Sequence, residues 1–122
     1  MPKALLIDDN IAILNLMRDI LVDHGMDVST ADNGEDGLRM LQANDYDVLV
    51  TDIFMPHCDG FELLRKIRKS QKNIRIMVIT GAGGDYRADY LKISKLLGAD
   101  ALLPKPFDPD VFAQSVSDLL SR

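Results

Sequence analysis

Apolar residues fall along this chain in two alternating textures. Short runs dense in Leu, Ile and Val, such as KALLID, DVLVTD and IRIMVIT, are separated by longer stretches in which apolar positions recur at helical spacing. The first texture predicts strands and the second amphipathic helices. Strands are expected at about 3–8, 27–31, 47–52, 74–80 and 100–103. After the first strand, Ile13, Leu14, Met17, Ile20 and Leu21 form one stripe ending at His24-Gly25, where a glycine suits the left-handed turn that closes a helix. Leu38 and Leu41 mark a second helix after Asn33-Gly34, and Phe61, Leu64 and Ile67 a third after Asp59, which reads as its cap. Tyr86, Tyr90, Ile93 and Leu97 mark a fourth before Gly98. Asp108-Pro109, a cap acid with Pro at the first helical position, opens a fifth that carries Phe112, Val116 and Leu119.

The resulting order is (βα)5. The first, third and fourth strands are apolar without alternation, which requires cover on both faces and so predicts an α/β doubly wound sandwich around a parallel sheet. No Pro/Gly/Ser-rich linker, low-complexity tract or repeat divides the 122 residues, so one domain over 1–122 is expected, with no output domain in the chain. A composition of 47% hydrophobic and 27% charged residues is that of a globular protein. The net charge of -5 speaks against direct nucleic-acid binding, which needs clustered Lys and Arg. The single Cys58 can form no internal disulfide, the N-terminal apolar run is too short for a signal segment, and no stretch is long enough for a membrane span. A cytoplasmic protein fits all three.

Sites in open α/β folds lie beyond the carboxyl ends of the strands. Here those ends carry Asp8-Asp9, Asp52, Thr80 and Lys105. The stretch VLVTDIFMP runs a buried strand straight into a carboxylate, which costs several kcal/mol unless the charge is paired or bound to a metal. If the first and third strands are neighbours, Asp8 or Asp9 comes within roughly 5–6 Å of Asp52. Two carboxylates at that distance repel by about 3 kcal/mol at an effective dielectric of ~20. A hard divalent cation with oxygen ligands relieves this, and Mg2+, which keeps waters and takes few protein carboxylates, suits an open strand edge. His and Cys are missing from the strand ends, which disfavours zinc. A carboxylate beside Mg2+, with an ammonium and a hydroxyl opposite, is a layout for accepting a phosphoryl group, with Asp52 as nucleophile.

Asp8-Asp9, Asp52 followed by Met55-Pro56 and Asp59-Gly60, Thr80, Gly98-Ala99-Asp100 and Lys105-Pro106-Phe107 together resemble the receiver domain of two-component response regulators, over the whole chain. The resemblance implies a flavodoxin-like sheet of order 2-1-3-4-5 and phosphotransfer to Asp52 from a sensor histidine kinase or histidine phosphotransfer protein. It implies Mg2+ held by Asp9, Asp52 and the Phe54 carbonyl with Asp8 acting through water, Thr80 and Lys105 on the phosphoryl oxygens, and frequently a cis Lys105-Pro106 bond. It further implies that the domain catalyses only its own phosphorylation and dephosphorylation. Phosphorylation then changes a face made by the fourth helix, fifth strand and fifth helix, where a downstream protein binds.

The chain departs from the family's pattern in three places. Leu102 stands where an aromatic is usual, the segment TGAGGDYRADYLKISKLLG is a few residues longer than typical, and Phe54 is bulky where many members are polar.

Each feature also has a plainer reading. Asp8-Asp9 alone reads as charge at a helix N-terminus, Thr80 as a strand-end hydroxyl and Lys105 as a surface lysine; their joint position is what argues otherwise. Gly81, Gly83 and Gly84 read as a loop, since no Lys-Ser/Thr follows to make a phosphate cradle. His24 reads as a cation at a helix end, His57 and Cys58 as exposed loop residues, and Tyr86 and Tyr90 equally as core or as partner-binding rings. The rival functions are a degenerate receiver serving as a constitutive interaction scaffold, a phosphohydrolase working through an aspartyl phosphate, and a flavin carrier; the last two rest on fold analogy alone.

Overall fold

Parallel pairing of five short strands decides where every strand end points. The computed structural model describes residues 1–55, 58–70, 73–80, 92, 95 and 98–122. Strands β1 (Lys3–Ile7), β2 (Asp27–Ala31), β3 (Val48–Asp52), β4 (Arg75–Thr80) and β5 (Ala101–Pro104) form one sheet in the order β2-β1-β3-β4-β5. All its pairings are parallel. The expected order 2-1-3-4-5 is therefore the observed one.

Side-chain alternation explains why these strands read as unbroken apolar runs. Ala4, Leu6, Val48, Val50, Met77 and Ile79 point to one face, where they pack with Leu14, Met17 and Leu21 of α1 (Ile11–Asp23) and with Phe112, Val116 and Leu119 of the C-terminal helix (Pro109–Leu120). Leu5, Ile7, Leu49, Ile76 and Val78 point to the other face. There they meet Leu41 of α2 (Gly34–Ala43) and Leu63, Leu64 and Ile67 of α3 (Gly60–Ser70). Burial on both faces leaves no polar stripe in the central strands.

The helix ends follow local chemistry. Asn33 caps α2 by accepting from Asp36 N at 2.8 Å, and Asp108 caps the C-terminal helix by accepting from Asp110 N at 2.8 Å, with Pro109 in its first turn. Gly25, just past α1, has φ of 81°, the left-handed turn its position predicts. The start of α1 bears on the plainer reading of Asp8-Asp9 as charges at a helix N-terminus. Asn10 is its cap, accepting from Ile13 N, and no acid lies in its first turn, so Asp8 and Asp9 precede the helix and do not act as first-turn charges on its dipole.

Beyond β3 the backbone of Phe54 and Met55 pairs antiparallel with Asp59 and Cys58. Asp59 thus sits in this short pairing, directly before α3 begins at Gly60. The predicted fourth helix, with Tyr86, Tyr90, Ile93 and Leu97, lies outside the described residues, as do Pro56, His57, Gly81, Gly83 and Gly84; Lys92 and Lys95, which belong to the same stretch, are helical. Among the described residues no helix is long and apolar enough to cross a membrane.

Candidate functional site

Register brings the strand ends level. Ile7 is opposite Thr51, so the next residues on each strand, Asp8 and Asp52, emerge side by side. Asp52 is the last residue of β3 and Thr80 the last of β4; they are 4% and 2% exposed, and Asp8 is completely buried. Asp8 is held by its own backbone and side chain: its N donates to Ala31 O at 3.2 Å, and its Oδ1 accepts from Asn10 N at 2.9 Å. On the other flank Thr80 is opposite Pro104, and Lys105 N donates to Thr80 O at 2.8 Å. The Lys105-Pro106 bond is cis, and Phe107 stacks on the buried Phe112 ring with centroids 5.1 Å apart, which anchors the chain after Lys105 to the C-terminal helix.

From that anchored position Lys105 reaches two carboxylates at once. Its Nζ lies 2.8 Å from Asp8 Oδ2 and 2.9 Å from Asp52 Oδ2, with the lysine side chain 16% exposed. Burial pulls the ammonium's pKa down, but the close contacts and charges of Asp8 and Asp52 outweigh that effect and leave it raised above the ordinary lysine value of 10.5. Lys105 is therefore cationic at neutral pH. The fully buried Asp8 Oδ2 is compensated by the Lys105 ammonium, 2.8 Å away.

Asp9 completes the cluster. One carboxylate oxygen each from Asp8, Asp9 and Asp52 lies within 4.8 Å of the others, and Asp9 is the exposed member. Among the described residues three carboxylates face one ammonium, a formal excess of two negative charges. An all-oxygen donor set with that excess and an open side fits a hard divalent cation of the Mg2+ class.

Of the predicted site residues, Asp8, Asp9, Asp52 and Lys105 thus share one cluster, Thr80 stands at the adjoining strand end, and Phe54 lies in the backbone pairing that leaves Asp52. Sequence reasoning assigns nothing to Thr51, whose buried hydroxyl donates to Asp52 O at 2.9 Å. A lone hydroxyl in an otherwise aliphatic buried strand is the signal that marks it. A separate open cleft of about 610 Å³ beside β2 is lined by Ile11, Asn15, Thr30, Asp36, Arg39 and Asn44, among others. None of the strand-end site residues lines it, and no buried charged group is aimed into it.

The chain matches the response regulator receiver domain family over residues 4–117. It is 36% identical over 122 residues to a transcriptional regulatory protein, the CpxR homolog of Haemophilus influenzae, covering 100% of this chain and 52% of that protein. The chain spans about half the length of this and several other curated relatives it matches. Among solved structures it resembles a CheY-like receiver domain protein of Methanospirillum hungatei, with a TM-score of 0.92 at 27% identity over 99% of this chain and 94% of that one. It also resembles the response regulator TrrA of Thermotoga maritima in complex with Mg2+-BeF, with a TM-score of 0.85 at 33% identity over 98% of this chain and 99% of that one. With its five-stranded parallel sheet and acidic strand-end cluster, this chain belongs to the receiver domain family of two-component response regulators.

Proposed function

We propose that this receiver domain is a cytoplasmic, phosphorylation-controlled switch that accepts a phosphoryl group on Asp52 from a phosphohistidine donor. The donor is a sensor histidine kinase or a histidine phosphotransfer protein. The observation that carries the reading is the sharing of one ammonium by two buried carboxylates, 2.8 Å and 2.9 Å away, with a third acid within 4.8 Å. Such a cluster is costly unless it is used. Asp8, Asp9, Asp52 and the Phe54 carbonyl would hold Mg2+, a reading favoured by the oxygen-only donor set and by the Mg2+-BeF complex of the similar TrrA. When bound, that ion supplies positive charge to the carboxylates and to the incoming phosphoryl oxygens.

The protein's own groups have separate tasks. An Asp52 carboxylate oxygen attacks the donor's phosphorus in line; the new O–P bond forms as the P–N bond breaks, and the histidine ring nitrogen keeps the electron pair and takes up a proton. Lys105, held cationic by its raised pKa, moves from carboxylate to phosphoryl oxygen and acts as a fixed charge, never as the proton donor. The Thr80 hydroxyl donates to another phosphoryl oxygen. That pull on Thr80 and Lys105 bears on the backbone they share, Lys105 N to Thr80 O, and so on β5 and the C-terminal helix, which belong to the partner-binding face the family resemblance implies. The only chemistry is the gain and loss of this group, with no external substrate turned over.

Intact-mass measurement with Mg2+ and a small phosphodonor tests the reading. Wild type is expected to gain one phosphoryl group and Asp52→Asn none. A wild type that stays unmodified would overturn it in favour of a constitutive scaffold.

A further inference from the structure

β3 reads VLVTD, and the hydroxyl of its Thr51 is completely buried. The residues opposite it are Ile7 on β1 and Val78 on β4, both members of the aliphatic cluster under α2 and α3. Valine would fill such a place with no polar atom to satisfy. The hydroxyl instead donates to Asp52 O at 2.9 Å, the carbonyl of the peptide that leads out of the strand from the site's central carboxylate.

The same peptide is backed from the next residue on. A Cβ built on Gly60 would lie 2.4 Å from both Cα and O of Ile53, so the first residue of α3 rests directly on the Ile53 backbone. The chain between them closes as the Phe54–Asp59 and Met55–Cys58 pairing.

We infer that Thr51 is a positioning residue for the Asp52 site: its hydroxyl, with Gly60 backing Ile53, sets the plane of the Asp52–Ile53 peptide, and through it the aim of the Asp52 carboxylate and the place of the Phe54 carbonyl. The inference rests on the phosphoacceptor reading. Successive strand residues face opposite sides of the sheet, so Thr51 acts from behind the site and touches neither cation nor phosphoryl group. Removing its single donor hydrogen loosens the peptide that begins at Asp52, one predicted metal donor, and leads through Ile53 to Phe54, whose carbonyl is another. Groups that hold ligands in this indirect way typically carry 10- to 100-fold effects on affinity or activity.

The test uses Thr51→Val, which keeps the shape and removes the donor, and Thr51→Ser, which keeps the donor. Magnesium affinity is measured by titration calorimetry on the metal-stripped domain, and phosphoryl uptake from a small phosphodonor is followed by intact mass at saturating Mg2+. Thr51→Val is expected to lose roughly 10-fold in both, with Thr51→Ser restoring them. A folded Thr51→Val that matches wild type in Mg2+ affinity and uptake, or differs only in melting temperature, would overturn the inference; so would a Ser variant as impaired as Val. A wild type that neither binds Mg2+ nor gains the phosphoryl group would overturn the phosphoacceptor reading itself, and this inference with it.

Discussion

Lys105 Nζ meets Asp52 Oδ2 at 2.9 Å although 53 positions of sequence separate them. The contact joins the ends of β3 and β5, which are not neighbours in the sheet, across the end of β4. Because the same ammonium also holds Asp8, it compensates two of the three clustered carboxylates. Lysine at this place is as much a condition for keeping the acids buried as a participant in the chemistry.

Lys105→Met should therefore destabilise the domain in the absence of Mg2+ by roughly 2 kcal/mol, less than the loss of a fully buried pair because water screens part of the charge. Saturating Mg2+ should recover more stability in this variant than in wild type. Urea unfolding with and without Mg2+ measures both effects. The pH dependence follows from the direction of the lysine shift. A folded-state pKa above the unfolded value means the contribution is complete below the ordinary value of 10.5 and is lost as pH rises through the folded one. The stability gap between wild type and Lys105→Met should hold steady from neutrality to about pH 10 and then narrow. A gap that closes near neutrality would contradict the raised pKa.

Asp52→Asn should keep the fold, since Asn is nearly isosteric and the change reduces the excess of negative charge in the cluster. Its melting temperature without Mg2+ should equal or exceed that of wild type, while the stabilisation by Mg2+ shrinks. Thermal melts across a Mg2+ series report the outcome. A marked loss of stability would mean that the Asp52–Lys105 pair outweighs the carboxylate repulsion.

Asp8 and Asp9 should separate cleanly. Asp9 is exposed and free of the backbone bond that holds Asp8, so Asp9→Ala should weaken Mg2+ binding strongly at little cost in stability. Asp8→Ala removes a buried acceptor for Asn10 N and one partner of Lys105, so it should lower stability by on the order of 1–3 kcal/mol, seen as a lower melting temperature, and weaken Mg2+ less. Calorimetric titration beside thermal melts tests the division; equal effects of the two variants on Mg2+ would refute it.

Leu102, the departure from the usual aromatic, is partly buried against the cluster under α2 and α3. Leu102→Ala should cost about 1 kcal/mol, below the value for a fully buried leucine. As a packing residue outside the switch, it should leave the difference in partner affinity between phosphorylated and unmodified protein within roughly tenfold of wild type, about 1.4 kcal/mol of coupling. Binding isotherms in the two states, on this variant and on Leu102→Tyr, check that expectation.

What the sequence determines by itself is local. The aliphatic runs of β1, β3 and β4 are buried on both faces as their lack of alternation requires, and the caps at Asn33 and Asp108 and the turn at Gly25 stand where side-chain chemistry places them. The acids and the lysine are legible as strand-end residues because the runs of β1 and β3 stop at an acid and that of β5 leads through Pro104 to Lys105. Tertiary structure decides what no period encodes. Adjacency of β1 and β3 in the Ile7–Thr51 register turns two distant acids into one cluster, and the path of β5 past Thr80 delivers Lys105 to both. The capping of α1 by Asn10 sets Asp8-Asp9 outside the helix, and the Thr51 hydroxyl acquires its meaning only from the Asp52 carbonyl beside it. Periodicity reports which side of an element is buried, whereas charge compensation depends on pairwise distances of a few ångströms, and only long-range packing sets those.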